Sequence, residues 1–357
     1  MSNSTVSKLD FYRDFILSMI SIVFGRLYPS LKVPFVDLSS NTAIITGGNS
    51  GIGLQIALEM ARQGATVYLA CRNPSKAMQA ASEIAQRIPA SSGHVHVLSL
   101  DTSSLSSVRS FAEMVRNLNT KIDLLFHNAG IGGSTPGKDF TSEGFPLHYT
   151  TNFLGSFLLT HLLEPYLADD ARVILTSSTG QYNGTFSSTF SLNSIKEHLE
   201  PGFHAPVAAV KAGKTTADSD VYFAFTKLLQ DHIDRKAKEA GNKPKRIVHA
   251  FAPGFTMTPI FGKYTVKNFW DDPPFWILTV TTFLATDVSQ GAATAVWLAS
   301  TQDDVVVGEG NGGGYWDRIT RRLSSVDMMD QDIVERMWLR WEADAGIDGG
   351  DDGLQAL

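Results

Sequence analysis

From Asn41 onward the chain alternates short apolar runs with amphipathic stretches, and this alternation restricts the fold more than any other feature. The runs are "TAIIT" (42–46), "TVYLA" (66–70), "VHVLSL" (95–100), "IDLLFH" (122–127), "RVILTS" (172–177) and "RIVHAFA" (246–252). Each is almost continuously apolar, the pattern of a strand covered on both faces. Between them lie segments of helical period such as "GLQIALEMARQG", "SVRSFAEMVRNL" and "FLGSFLLTHLLEPYL". Repeated βα units bury such strands by right-handed crossovers into a parallel sheet sandwiched between helices. The expectation is an α/β fold with one doubly wound domain over residues 41–310, preceded by a helical extension (1–40) and followed by another (311–357). The run "DDVVVGEG" (303–310) reads as one more edge strand.

Bulk properties narrow the partners. The 357 residues carry a net charge of −6 and no basic run, which argues against nucleic acid. The single cysteine, Cys71, allows no internal disulfide and fits a reducing, cytoplasmic compartment. Near the start, "FILSMISIVFG" (15–25) is apolar but about half the ~20 residues needed to span a bilayer. No small-residue cleavage pattern follows it at once. Two readings stand for residues 11–28: a helix packed on the domain, or a peripheral contact with a membrane surface.

The segment "TGGNSGIG" (46–53) directly follows the first strand and opens a helix. Glycines at 47, 51 and 53 permit a tight turn and let a pyrophosphate approach the backbone at the helix N-terminus. With Asn49, Ser50 and Ile52 they form a candidate dinucleotide cradle in a Rossmann-type sheet. Arg72, in "ACRN" after the second strand, stands where an acidic residue would bond the ribose of NAD. A guanidinium there pairs instead with a 2′-phosphate, favouring NADP, although a solvated surface arginine is the alternative. Asp101, in "DTSS" after the third strand, is placed to accept from the adenine amino group or to cap a helix, and both roles are compatible.

Taken together, "TGGNSGIG", "ACRN", "DTSSL", "HNAG" (127–130), "TNFLGSFLLT" (151–160), "VILTSS" (173–178), "FAFTK" (223–227) and "APGFTMT" (252–258) resemble the short-chain dehydrogenase/reductase family, in particular its retinol-dehydrogenase-like branch. The motifs run in family order over residues 40–305. Less specifically, "GGGYWDR" and "WLRWEA" resemble the tails of fungal, secondary-metabolism members. The resemblance implies a centre of Asn152, Ser178 and Lys227: serine binds the substrate carbonyl, lysine holds the ribose and lowers the pKa of a tyrosine acid, and asparagine supports a water relay. It also implies cofactor contacts from Asn128, Ala129 and Gly130 and from Pro253, Gly254, Thr256 and Thr258.

One position departs from the family pattern. The family's tyrosine falls on Phe223, four residues before Lys227, and a phenyl ring has no proton to give. Tyr222 is adjacent but about 100° away around a helix, and only a π-bulge would rotate it inward. Tyr182, His198 and His204 are alternative acids in the long stretch after Ser178. That stretch (180–220) and a second one (255–287) both follow strand C-termini and read as the walls and lid of a pocket for a bulky, largely apolar small molecule. The expected function is NADP-dependent hydride transfer to or from a carbonyl, alcohol or imine, in secondary metabolism. A non-redox isomerase or cyclase, and an inactive binding protein, stand as alternatives. No metal-ligand spacing is apparent, and a homo-oligomer fits the family pattern.

Overall fold

The computed structural model describes residues 7–132, 140–179, 216–256, 284–328 and 331–347, with backbone alone for 216–224, 325, 331–336 and 340. After an N-terminal helix α1 (Lys8–Phe24) come β1 (Thr42–Thr46), α2 (Gly51–Arg62), β2 (Thr66–Cys71), α3 (Pro74–Arg87), β3 (Val95–Ser99), α4 (Leu105–Asn117) and β4 (Ile122–His127). A π-helical turn, Thr150–Leu154, leads into α5 (Gly155–Leu163) and β5 (Leu167–Thr176). The chain continues through α6 (Thr216–Glu239), β6 (Ile247–Ala252), α7 (Val288–Ser300), α8 (Asp304–Val307), β7 (Gly314–Asp317), β8 (Thr320–Arg322) and α9 (Gln331–Ala345).

The strands form one sheet in the order β3-β2-β1-β4-β5-β6-β7-β8, parallel except for the last. The order reverses between β1 and β4, which pair at Ala43–Leu124 and onward. A crevice therefore opens at their carboxyl ends, the place where such sheets take ligands. Local signals start the helices. Asn73 accepts from the Lys76 amide at 3.0 Å with Pro74 in the first turn, and Ser104 accepts from the Ser107 amide at 3.3 Å. Both are side-chain caps on orphan amides.

Two apolar cores lie on the two sheet faces. One joins α2, α3 and α7 to the strands through residues such as Ile56, Ile84, Val296 and Trp316. The other joins α4, α5, α6 and α9 and is dominated by rings. Phe225, fully buried, packs edge-on to Phe153 at 5.7 Å, and Trp341 closes over Phe153 at 4.7 Å. Trp338 adds a contact to Phe157 at 5.2 Å. The C-terminal helix is thus part of the core, and it is pinned at its end by Arg109, which donates to the Ala345 carbonyl at 2.7 Å.

Two expectations about the C-terminal region need correction. Residues 303–310 do not form an edge strand: Asp303 accepts from the Val305 amide at 3.1 Å and starts the short helix α8. The region after 310 is not purely helical, because it begins with β7 and β8, which complete the sheet. Their turn places Arg318 (φ 48°) and Ile319 (φ 57°) in the left-handed region.

Candidate dinucleotide site and reaction centre

The glycine turn sits between β1 and α2 at the switch point of the sheet. Gly47 (φ 67°) and Gly51 (φ 55°) both have left-handed backbones, which glycine adopts without strain. A side chain at Gly47 would also meet the Ala129 backbone at 3.0 Å. The turn is tied down by Thr46, whose hydroxyl accepts from the amides of Asn128 (2.9 Å) and Ala129 (3.0 Å) and donates to the Phe126 carbonyl (3.2 Å). Asn128 returns the tie by donating from its side chain to the Thr46 carbonyl at 3.1 Å. Thr176 donates to the Asn128 Oδ1 at 3.4 Å, so the ends of β1, β4 and β5 are fastened together.

Asn49, Ser50 and Ile52 lie in this turn and the first turn of α2. Ser50 is the extended N-cap residue, and its side chain makes no capping bond to the helix. The first amides of α2 are therefore left without a capping side chain, the arrangement an anion can occupy. Cys71 lies below the turn. Burial pushes its thiol up to about 11 against the pull of the Gly48 and Asn49 amides, so it is neutral packing rather than a nucleophile. Arg72 follows directly, exposed and without a partner among the described residues.

Other expected residues have internal duties. Asp101 uses Oδ1 to accept from the Ser103 amide (3.0 Å) and hydroxyl (2.6 Å), a local turn before α4; the helix itself is capped by Ser104, so Asp101 does not take the capping role expected of it. Asn152, in the π-helical turn, grips Ile131 twice: it accepts from the Ile131 amide at 2.8 Å and donates to its carbonyl at 3.0 Å. It lies beside Gly130, where a side chain would come within 3.4 Å of the Asn152 Oδ1. Ser178 lies two residues past β5, where the Ser177 amide donates to Phe251 at 2.8 Å and joins the ends of β5 and β6. Pro253 and Gly254 (φ 69°) turn the chain after β6, and the Thr256 hydroxyl, expected at the cofactor, donates to the Pro253 carbonyl at 2.9 Å.

Lys227 faces Asp327 across 3.9 Å. Asp327 is itself fixed by the Ser324 amide at 2.7 Å and hydroxyl at 3.0 Å. Helix α6 is α-helical from Thr216 to Glu239, so the π-bulge considered at Tyr222 does not occur there. Position 223 therefore stays one turn before Lys227 and position 222 about 100° off it. The side chains of Tyr222 and Phe223, and all of Tyr182, His198, His204 and Thr258, lie outside the described residues. So do most of the 180–220 and 255–287 stretches. Sequence reasoning missed three members of the site region: Thr46, Thr176 and Asp327. A threonine ending the first strand was visible as a signal for the first of these. Nothing local pointed to the other two.

A model of the short chain dehydrogenase family matches residues 41–191. The chain is 31% identical to retinol dehydrogenase 12 of Mus musculus over 337 residues, 91% of this chain and 96% of that one. It belongs to the short-chain dehydrogenase family, in its retinol-dehydrogenase-like branch. Human retinol dehydrogenase 13 is 29% identical over 84% of this chain and 83% of its own length. The match to dehydrogenase/reductase SDR family member 13 of Bos taurus is 41% identical but spans only 43% of that relative. Among solved structures, L-sorbose reductase from Gluconobacter frateurii, complexed with NADPH and L-sorbose, shares the fold at a TM-score of 0.57 and 20% identity over 79% of this chain and 97% of its own. An uncharacterized protein from Mycobacterium paratuberculosis superimposes at a TM-score of 0.59 with 26% identity, covering 89% of this chain and 98% of that one. Membership in this family supports a general redox function and a nicotinamide cofactor. The glycine turn and the amides of α2 fit the pyrophosphate of such a short-chain dehydrogenase cofactor.

Proposed function

We propose that the protein is an NADP-dependent oxidoreductase acting on a carbonyl, alcohol or imine of a bulky apolar small molecule, in a secondary-metabolic role. The observation that carries the cofactor choice is Arg72, exposed and without a partner among the described residues at the end of β2 beside the glycine turn, where a guanidinium suits a 2′-phosphate. Gly47, Gly51, Gly53 and the α2 amides would hold the pyrophosphate, with Asn49, Ser50 and Ile52 shaping the turn. Asn128, Ala129 and Gly130 would border the nucleoside, and Pro253 and Gly254 the nicotinamide end. Bound there, the nicotinamide supplies or accepts hydride. Ser178 would orient the substrate oxygen, and Lys227 would hold the ribose after leaving Asp327.

The proton is the point of difference. Phe223 occupies the position one turn before Lys227, and loss of a general acid slows carbonyl reduction ~10²–10⁴-fold. An iminium substrate, already cationic, accepts hydride without a simultaneous proton and so suits this centre. Phe223 also favours a second reading, an isomerase or cyclase that retains the dinucleotide and works by positioning. NADPH consumption with a panel of ketones and imines separates the two. Imine turnover, with ketone turnover rising in Phe223→Tyr, supports the reductase. NADPH bound tightly but never oxidised, with no gain in Phe223→Tyr, supports the second reading. Preference for NADH over NADPH would overturn the assignment of Arg72.

A further inference from the structure

The turn that carries Asn152 is irregular. Thr150–Leu154 is π-helical, set between a short helical turn, Leu147–Tyr149, and α5. Single π turns are rare inside helices and gather at functional sites. Relaxing this one to α-helix would rotate Tyr149 and its neighbours by about 100° relative to α5. The residues that hold the turn therefore decide where Asn152 sits.

Some of the ties are local. The Thr150 and Thr151 hydroxyls donate to the Pro146 and Leu147 carbonyls at 3.1 and 2.6 Å, taking up acceptors ahead of the turn. Just past the turn, Gly155 lies against the Thr102 backbone, where a side chain would collide with the Thr102 carbonyl. A further hold comes from 195 residues along the chain: the Tyr149 hydroxyl donates to Asp344 Oδ2 on α9 at 2.9 Å. The Tyr149 ring meets Phe153 at 5.6 Å, and Phe153 meets Trp341 of α9 at 4.7 Å. Asn152 thus lies between two residues that α9 touches.

Helix α9 can act as an anchor because its own end is fixed. Arg109 of α4 donates to the Ala345 and Gly346 carbonyls at 2.7 and 3.0 Å, and Gly346 closes the helix at φ 60°. Asp344 is the residue next to that pinned end. Trp338 and Trp341 also pack on Phe225, at 6.5 and 6.4 Å, two residues before Lys227. One helix braces both the segment of Asn152 and the segment of Lys227.

We propose that Asp344 is a positioning residue for the reaction centre. Through the Tyr149 hydroxyl it keeps the π-helical turn in register, so that Asn152 holds Ile131 beside Gly130. The part that Asn152 plays in turnover rests on the proposed oxidoreductase reading; its hold on Ile131 does not.

Amide hydrogen exchange on the full chain reads that hold directly, because Asn152 accepts from the Ile131 amide at 2.8 Å. Asp344→Ala and Tyr149→Phe are each expected to speed exchange at Ile131 at least about tenfold, while Ile45 and Leu125 in the sheet keep their protection. The two changes together should do no more than either alone. Asp344→Asn, whose amide oxygen still accepts from the phenol, should restore most of the protection. With NADPH and a substrate that turns over, kcat should fall about tenfold in Asp344→Ala with KM for NADPH little changed, and recover in Asp344→Asn. Exchange at Ile131 that stays slow in both single variants overturns the proposal. So does faster exchange spread evenly over the sheet, which marks Asp344 as packing only, and so does selective loss at Ile131 with unchanged kcat. Wild-type protein that turns over no ketone or imine, beside selective loss at Ile131 in the variants, sinks the oxidoreductase reading and confirms the hold of Asp344 on the turn.

Discussion

The Lys227 ammonium lies 3.9 Å from a carboxylate oxygen of Asp327, itself held by two bonds from Ser324. Both side chains are about one-third exposed, at 32% and 29%, so the pair contributes at most ~1 kcal/mol. It is weak enough to yield to a ribose. Asp327→Asn is expected to tighten NADPH binding by a few-fold, because Lys227 no longer has to leave a partner, whereas Lys227→Ala weakens it by about tenfold. Fluorescence titration of both variants checks this. An Asp327→Asn protein that binds NADPH less well would mean that Asp327 positions Lys227 instead of competing for it.

Asn128 fastens the glycine turn to β4 and β5 through bonds to Thr46 and Thr176. Replacing it by alanine leaves the Thr46 carbonyl without that donor and opens space beneath Gly53, whose missing side chain would press on the Asn128 amide. The expected loss is ~1–3 kcal/mol of stability, with NADPH affinity falling about tenfold as the turn loosens. Urea unfolding and cofactor titration measure the two separately. Unchanged affinity beside a clear loss of stability would show that the turn keeps its shape without this tie.

The parts of the fold that the sequence revealed are those where one physical rule acts alone. β1 and β4 match the apolar runs 42–46 and 122–127 residue for residue, because strands buried on both faces are almost continuously apolar. β5 starts earlier than its apolar run, at Leu167, and carries exposed Asp169 and Asp170 where the strand leaves cover. Val305–Val307 read as strand by residue type, but the Asp303 cap decides for helix. The β7–β8 hairpin escaped notice because its turn uses Arg318 and Ile319 at positive φ, positions where Asn-Gly is the usual signal. At the site, the glycine turn was legible from spacing. The grip of Asn152 on Ile131 and the Lys227–Asp327 pair arise between distant segments and leave no local trace.

Trp341 closes the ring cluster formed by Phe153, Phe157 and Phe225, at 4.7, 5.8 and 6.4 Å respectively. It is 3% exposed and sits on α9, the last described helix. Trp341→Ala is expected to cost about 3–5 kcal/mol, the usual range for emptying a large aromatic site. Because the cluster includes Phe225, two residues before Lys227 on α6, the loss should also weaken NADPH binding. A variant with near-normal stability in urea would mean that α9 is a detachable cover rather than a part of the core.

Two buried histidines set the pH range of stability. Burial lowers His127 to about 3, with its ring bonded only to the Thr160 hydroxyl at 2.7 Å. Burial also lowers His249 to about 4; the His249 ring accepts from the Gly314 amide and meets the Val306 carbonyl. In the unfolded chain both titrate near ~6.5. Between that value and the folded ones, only the unfolded state takes up protons, so stability is full above pH ~6.5 and falls as pH drops toward 4 and then 3. At pH 5 each histidine removes about 2 kcal/mol by this linkage. Asp317 acts in the opposite sense, because burial raises its pKa and its contribution grows as pH falls. Between pH 5 and about 6 two histidines outweigh one carboxyl, because the two imidazoles of the unfolded chain together bind well over one proton there, whereas Asp317 binds at most one in the folded state. Urea midpoints at pH 7 and pH 5 should therefore differ clearly, and His127→Phe should remove about one proton from the slope. A flat profile over that interval would show that the imidazoles are hydrated in the folded protein.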